Sequence, residues 1–367
     1  MSEQLAEVLF RSAAESVEVS PPPYDAVVER SRQQRRRHRR VVAGGAAAAL
    51  VVVGLATWAA TRPEPAPGPL PSHVVAVRNP VSVPWYADGR LHLRAVTVDV
   101  PDVTDVAAVG QSVVYVDEQG AVGIVDAAGE RRIVGEAVPG SRVLGSAANG
   151  WAVWLQPDDG DGGVSIVVWS VAVDGIVAQH AAAPEAELVA VDQDLVYFQN
   201  DMGAFLWSAG VSGTQPELLG LHPLADVASA TRVFQHGHRI EMVQPFFNVS
   251  FVRVGDGATV SPGGTSVLTR RPGPWEPGTP YVPLMWDPRS GDRRPTGIAS
   301  DERVVDGAFG PNRDITYFVE DVADLGGVTV DGELAPLLVL RTCELEASQC
   351  QDVLPVRTGG GRAMFAH

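Results

Sequence analysis

Hydrophobic and polar positions fall into three regimes along this 367-residue chain. Residues 1–20 place Leu5, Val8 and Leu9 at helical spacing, a short amphipathic pattern that Pro21, Pro22 and Pro23 end. Residues 41–60 contain no charged side chain. From about residue 81 the texture changes to short apolar alternations separated by turn signals. Among these are Asp88-Gly89, Gln119-Gly120, Ala128-Gly129, Asp174-Gly175, Asp256-Gly257 and Asp331-Gly332. Beyond residue 60 no long helical period occurs, so the bulk of the chain is predicted to be mainly β.

One strand recurs. The segments around Tyr115, Trp154, Tyr197 and Tyr317 share an apolar run with a central aromatic, and each follows a strand of small residues, at 106–109, 143–147, 188–191 and 304–309. The aromatics step by 39 and 43 residues and then by three steps of 40, with Met242 and Tyr281 near the missing positions. A period near 40 with four strands per unit predicts a β-propeller. A single four-stranded sheet cannot cover its own faces, and a ring of them can. Six units fit best. The hairpin at 83–98 either completes the last unit or begins a seventh, and two stacked β-sandwiches are the alternative.

The uncharged segment 41–60 predicts a transmembrane helix. Twenty residues at 1.5 Å rise span about 30 Å, the hydrocarbon thickness of a bilayer. Its flanks set the direction. Arg30, Arg32, Arg35, Arg36, Arg37, Arg39 and Arg40 precede it and only Arg62 follows closely, so the N-terminus is expected inside and residues 61–367 outside. Arg35, Arg36, Arg37, Arg39 and Arg40 are the topogenic set, and they also suit contact with anionic lipid. A signal peptide cut near Ala59-Ala60-Thr61 is the competing reading, and it also leaves the bulk of the chain outside. The expected organisation is therefore a cytoplasmic Arg-rich segment (1–40), a membrane helix (41–60), a Pro-rich linker (61–80) and an extracytoplasmic β domain (81–367).

Composition and charge narrow the partners. Gly (38) and Pro (28) suit many short strands joined by turns, and no lysine occurs. Residues 61–367 carry twenty Arg against thirty-eight acids, a net −18. Such a domain repels phosphate backbones, which excludes nucleic acid as its partner. The two cysteines, Cys343 and Cys350, lie between the apolar runs 337–340 and 353–356. A hairpin there brings them opposite each other for a disulfide, in keeping with an oxidising compartment.

The layout of residues 1–60 and the repeat texture of 100–356 resemble actinobacterial single-pass envelope proteins that carry a WD-repeat-like or TolB-like propeller. The resemblance implies fold and location and transfers no catalytic residue.

Candidate chemistry is sparse. The sequence has no nucleophile elbow, no His-Glu-x-x-His, no phosphate loop and no dinucleotide fingerprint. His236 and His238 are spaced for one strand face without a third ligand, and residues 158–163 are rich in Asp without a terminal Glu; both read better as polar surface and turn. Trp151, Trp154, Trp169 and Trp207 read as packing between repeats rather than a sugar platform. No catalytic, cofactor or metal residue is assigned. The expected function is a non-enzymatic binding or sensing module outside the membrane, for an envelope protein or small ligand. The alternatives are a transmembrane regulator with residues 1–40 as an anti-sigma-like output arm, and a propeller enzyme with its site in the ring channel.

Overall fold

The structure is a computed structural model that describes residues 73–158, 162–273, 279–321, 328–330, 333–335, 337–346, 349–358 and 362–367. The expected membrane helix, the Arg cluster and residues 61–72 of the linker lie outside the described residues. No helix among the described residues is long and apolar enough to cross a membrane.

Seven of the eight sheets formed by the described strands are arranged as the blades of a β-propeller. Blades 2 to 6 each take four consecutive antiparallel strands, beginning at Val103–Val109, Val143–Ser146, Glu187–Asp192, Leu224–Ala228 and Asp256–Val260. Blade 7 uses Glu302–Phe309, Asp314–Asp321, Leu337–Glu344 and Cys350–Arg357, with a small hairpin, Val328–Val330 and Glu333–Ala335, between its second and third strands. Blade 1 is composite. Trp85–Ala87, Arg90–His92 and Thr97–Asp99 form its body, Val74–Val75 adds an outer strand, and Met364–Phe365 from the far end of the chain adds the inner one. The first strand thus begins seven residues before the expected boundary at 81.

Seven apolar clusters, one at each junction between neighbouring blades, form the core. Leu91, Val98, Val113 and Tyr115 join blades 1 and 2, and Val114, Ile124, Trp154 and Trp169 join blades 2 and 3. The series closes with Trp85 and Phe365 of blade 1 against Phe318 and Leu340 of blade 7. Each sheet is therefore covered on both faces. This explains continuous rather than alternating burial in the middle strands of blades 2 and 3: every residue of Val164–Ser170 is buried. Stacked sandwiches would leave one face of each sheet in water.

Two expectations need correction, and one open alternative is decided. The blades number seven, the reading in which the hairpin at 83–98 begins a further unit, because blade 1 is built from both ends of the chain. Met242 lies in a third strand, Arg239–Gln244, and Tyr281 lies between strands, so neither continues the recurring second-strand aromatic. Tyr115, Trp154, Tyr197 and Tyr317 all sit in second strands and are all buried, but not on one face. Tyr115, Trp154 and Tyr317 pack toward the preceding blade, whereas Tyr197 packs against Leu224 and Val227 of the following one. In blade 4 it is Val196 and Phe198 that face backward.

Candidate functional site

The innermost strands of blades 2, 5 and 7 each carry an aspartate at a β-bulge. The register with the second strand slips between Val103 and Asp105, Leu224 and Asp226, and Val304 and Asp306. The extra residues are Thr104, Ala225 and Val305, and a bulge re-aims the side chains beside it. Here it turns each carboxylate toward the next blade, where it accepts a backbone N–H. Asp105 Oδ2 takes that of Val143 at 2.8 Å, Asp226 Oδ2 that of Val260 at 2.6 Å, and Asp306 Oδ2 that of Phe365 at 3.1 Å. Innermost strands of neighbouring blades belong to separate sheets, so these N–H groups have no ladder partner. The aspartates supply one and tie blade 2 to 3, 5 to 6 and 7 to 1.

Charges near the axis act on one another. Burial pushes Asp226 up to about 6, outweighing the N–H groups of Val260 and Val227 and the positive charges of Arg142 and His367. Burial likewise raises Asp105. Asp306 moves the other way: burial opposes its charge, but His367, 3.7 Å away, holds it below the ordinary carboxylate value. His367 is correspondingly raised, since the Asp306 charge outweighs the cost of burying the imidazolium. The cluster is therefore a set of braces whose oxygens are already engaged, with one ion pair beside them.

A second concavity lies between blades 6 and 7. Blade 7's first strand does not begin against its neighbour's inner strand alone. Tyr281, from the connection between the second and third strands of blade 6, runs parallel to Arg303. Tyr281 donates its N–H to Glu302 O and accepts that of Val304, both at 2.9 Å. Pro280 and Val282, on either side of Tyr281, line an open concavity of about 520 Å³ together with the segment after Arg293. Arg271, Arg293 and Arg294 line it together with Pro280, Val282 and Ile298.

The residues singled out in the sequence are dispersed. Cys343 and Cys350 are bonded and sit opposite each other on the third and fourth strands of blade 7. His236 and His238 diverge: the first meets Glu241 at 3.1 Å, the second Asp256 at 3.0 Å. Asp158 closes a hairpin by accepting the Ser165 hydroxyl at 2.7 Å. Trp154, Trp169 and Trp207 are buried in the junctions between blades, and Trp151 packs beside them. Arg35, Arg36, Arg37, Arg39 and Arg40 lie outside the described residues.

Sequence reasoning missed Asp105, Asp226 and Asp306, yet a signal is present. Asp105-Val106-Ala107, Asp226-Val227-Ala228 and Asp306-Gly307-Ala308 repeat one pattern in the small-residue strands. Arg142, His367, Arg271 and Arg293 carry no such mark.

No family model matches the chain, and no curated protein matches it. Solved structures do. The β-propeller domain of the Trilobed protease from Pyrococcus furiosus, described as having an open velcro topology, superposes with a TM-score of 0.53 at 10% identity. The match covers 77% of this chain and 98% of that one. Hsv2 of Kluyveromyces lactis gives a TM-score of 0.43 at 9% identity over 69% and 98% of the two chains. The dihydro-heme d1 dehydrogenase NirN gives 0.42 at 13% over 80% and 66%. At such identities the likeness concerns the fold alone, and the fold is a seven-bladed β-propeller.

Proposed function

We propose that this chain is a single-pass membrane protein whose extracytoplasmic propeller is a non-enzymatic binding or sensing module. The uncharged segment 41–60 behind seven arginines supports the membrane anchor and its direction. The bond between Cys343 and Cys350 is in keeping with an oxidising compartment. The observation that carries the binding role is the state of the polar groups. The axial aspartates are spent on backbone N–H groups of neighbouring blades, while the cavity between blades 6 and 7 presents arginines to solvent.

An enzymatic reading would begin from Asp226, whose raised pKa is of the kind that acid–base sites use. Both of its oxygens already accept backbone N–H groups, from Val227 and Val260, which favours the structural role.

The location is tested by fusing a reporter after His367. Activity outside the cytoplasm is expected. Neutral residues in place of Arg35, Arg36, Arg37, Arg39 and Arg40 are expected to weaken or scramble insertion. A reporter active in the cytoplasm on the native sequence overturns the proposal.

A further inference from the structure

The cavity between blades 6 and 7 departs from the chemistry of the rest of the domain. Residues 61–367 hold nearly two acids for every arginine. The described part of the cavity lining inverts this. It holds Arg271, Arg293 and Arg294 and, among the described residues, no carboxylate. Arg294 is held in place by Asp287 and by the Ser266 hydroxyl at 3.1 Å. Arg271 and Arg293 have no carboxylate partner among the described residues, and both are exposed. Their backbone positions are nonetheless set by the fold. Arg293 is in the outer strand Arg293–Arg294 of blade 6, and the Arg271 carbonyl accepts the Tyr281 hydroxyl at 3.2 Å.

Apolar groups line two sides of the concavity. Pro280 and Val282 flank Tyr281, whose backbone pairs with blade 7. Pro295 and Ile298 line the opposite side. The volume falls in the range of about 300–1,000 Å³ usual for small-molecule sites. Guanidiniums suit planar or tetrahedral oxyanions, which accept two parallel N–H bonds, and the prolines and aliphatic side chains suit an apolar body.

We infer that this cavity binds a small organic anion, a carboxylate or phosphate monoester with a compact apolar body, whose charged end is held by Arg271 and Arg293. The inference rests on reading the propeller as a binding module and names the ligand class of that module. It does not depend on the membrane anchor.

The test is isothermal titration calorimetry on the purified full chain, with benzoate and phenyl phosphate as probes and benzyl alcohol and benzyltrimethylammonium as neutral and cationic counterparts. Both anions are expected to bind, more weakly as salt is raised, and the counterparts are not. Arg271→Gln and Arg293→Gln should each weaken anion binding about ten-fold, the loss expected for one charge-assisted contact. Arg271→Lys should recover part of the loss. Both side chains are exposed, so the variants should melt with the native chain, and a melting scan verifies that they fold. Absence of anion binding overturns the inference, and so does equal binding of benzyl alcohol or binding indifferent to both glutamine substitutions. None of these outcomes bears on the reporter fused after His367, so failure here and failure of the membrane topology are distinguishable.

Discussion

The Asp226 carboxylate reaches from the inner strand of blade 5 to the backbone N–H of Val260 in blade 6, 2.6 Å away, and also accepts the N–H of Val227. Removing the carboxylate leaves the Val260 N–H without a partner between two sheets. Asp226→Ala should therefore cost about 1–3 kcal/mol, the penalty for a buried donor left unmet. Asp226→Asn keeps an acceptor and sheds a charge that burial disfavours, so it should cost less at neutral pH. Thermal melts of the two variants decide it, and an alanine variant as stable as the native chain removes the brace.

The pH dependence of the same group has a definite sign. Its folded pKa, about 6, lies above the ordinary 3.8. Between those values the folded state keeps a proton that the unfolded state has released, so the contribution of Asp226 to stability falls as pH rises through this window. His92 acts in the opposite sense. Burial against Trp85, together with the nearby charge of Arg90, lowers it from 6.5 to about 4. Its contribution is complete above 6.5 and is lost as pH falls through the folded value. The two slopes oppose each other across the same range. Asp226→Asn should uncover the histidine slope, giving stability that rises with pH between about 4 and 6.5. His92→Gln should leave the reverse. Parallel pH profiles of native and variant chains would refute the assignment.

Glycine and tyrosine are matched across strands. Tyr115 pairs with Gly123, and a methyl group at Gly123 would overlap the tyrosine ring. Tyr317 pairs with Gly307, where a Cβ would lie 2.8 Å from the ring's Cδ1. Gly123→Ala should cost about 1–3 kcal/mol through overpacking, and Tyr115→Ala about 3–5 kcal/mol through the cavity it leaves. In the double variant the new methyl group occupies vacated space, so the combined cost should fall short of the sum. Strict additivity in denaturant titrations would show that the ring does not cover the glycine.

Much of the ring is legible in the sequence because each blade is local. Strand, turn and strand follow one another within about 40 residues, and apolar runs mark the buried middle strands. The blade number is not legible in the same way. Met364–Phe365 is a two-residue strand nearly three hundred residues from Trp85, too short to show any alternation. The facing of Tyr197 is hidden for a related reason. With both faces of a sheet buried, Val196, Tyr197 and Phe198 are all apolar, and nothing in their composition tells which side each takes. The cavity between blades 6 and 7 is less legible still, since Arg271 and Arg293 line it from separate segments of the chain and the bridge of Tyr281 to Arg303 beside it has no mark in the sequence.

Two devices lie near the C-terminal end, and they differ in what they hold. The Cys343–Cys350 bond joins strands already adjacent in one sheet, with a sequence separation of 7. It constrains a short loop, so Cys343→Ser should cost only about 2 kcal/mol. Phe365 holds something larger. Its ring is buried, stacks on Phe318 of blade 7 at 4.3 Å, and sits on the strand that completes blade 1, while its N–H is the one Asp306 accepts. Phe365→Ala removes the apolar contact at the junction where the ring closes, and should cost about 3–5 kcal/mol. It should also make blade 1 open before the rest, read as early loss of amide protection at Trp85 and Tyr86, which pair with the closing strand. The cysteine variant should leave that protection unchanged. If Cys343→Ser proves the more damaging substitution, or if Trp85 and Tyr86 stay protected in Phe365→Ala, the ring is not held shut by its last strand.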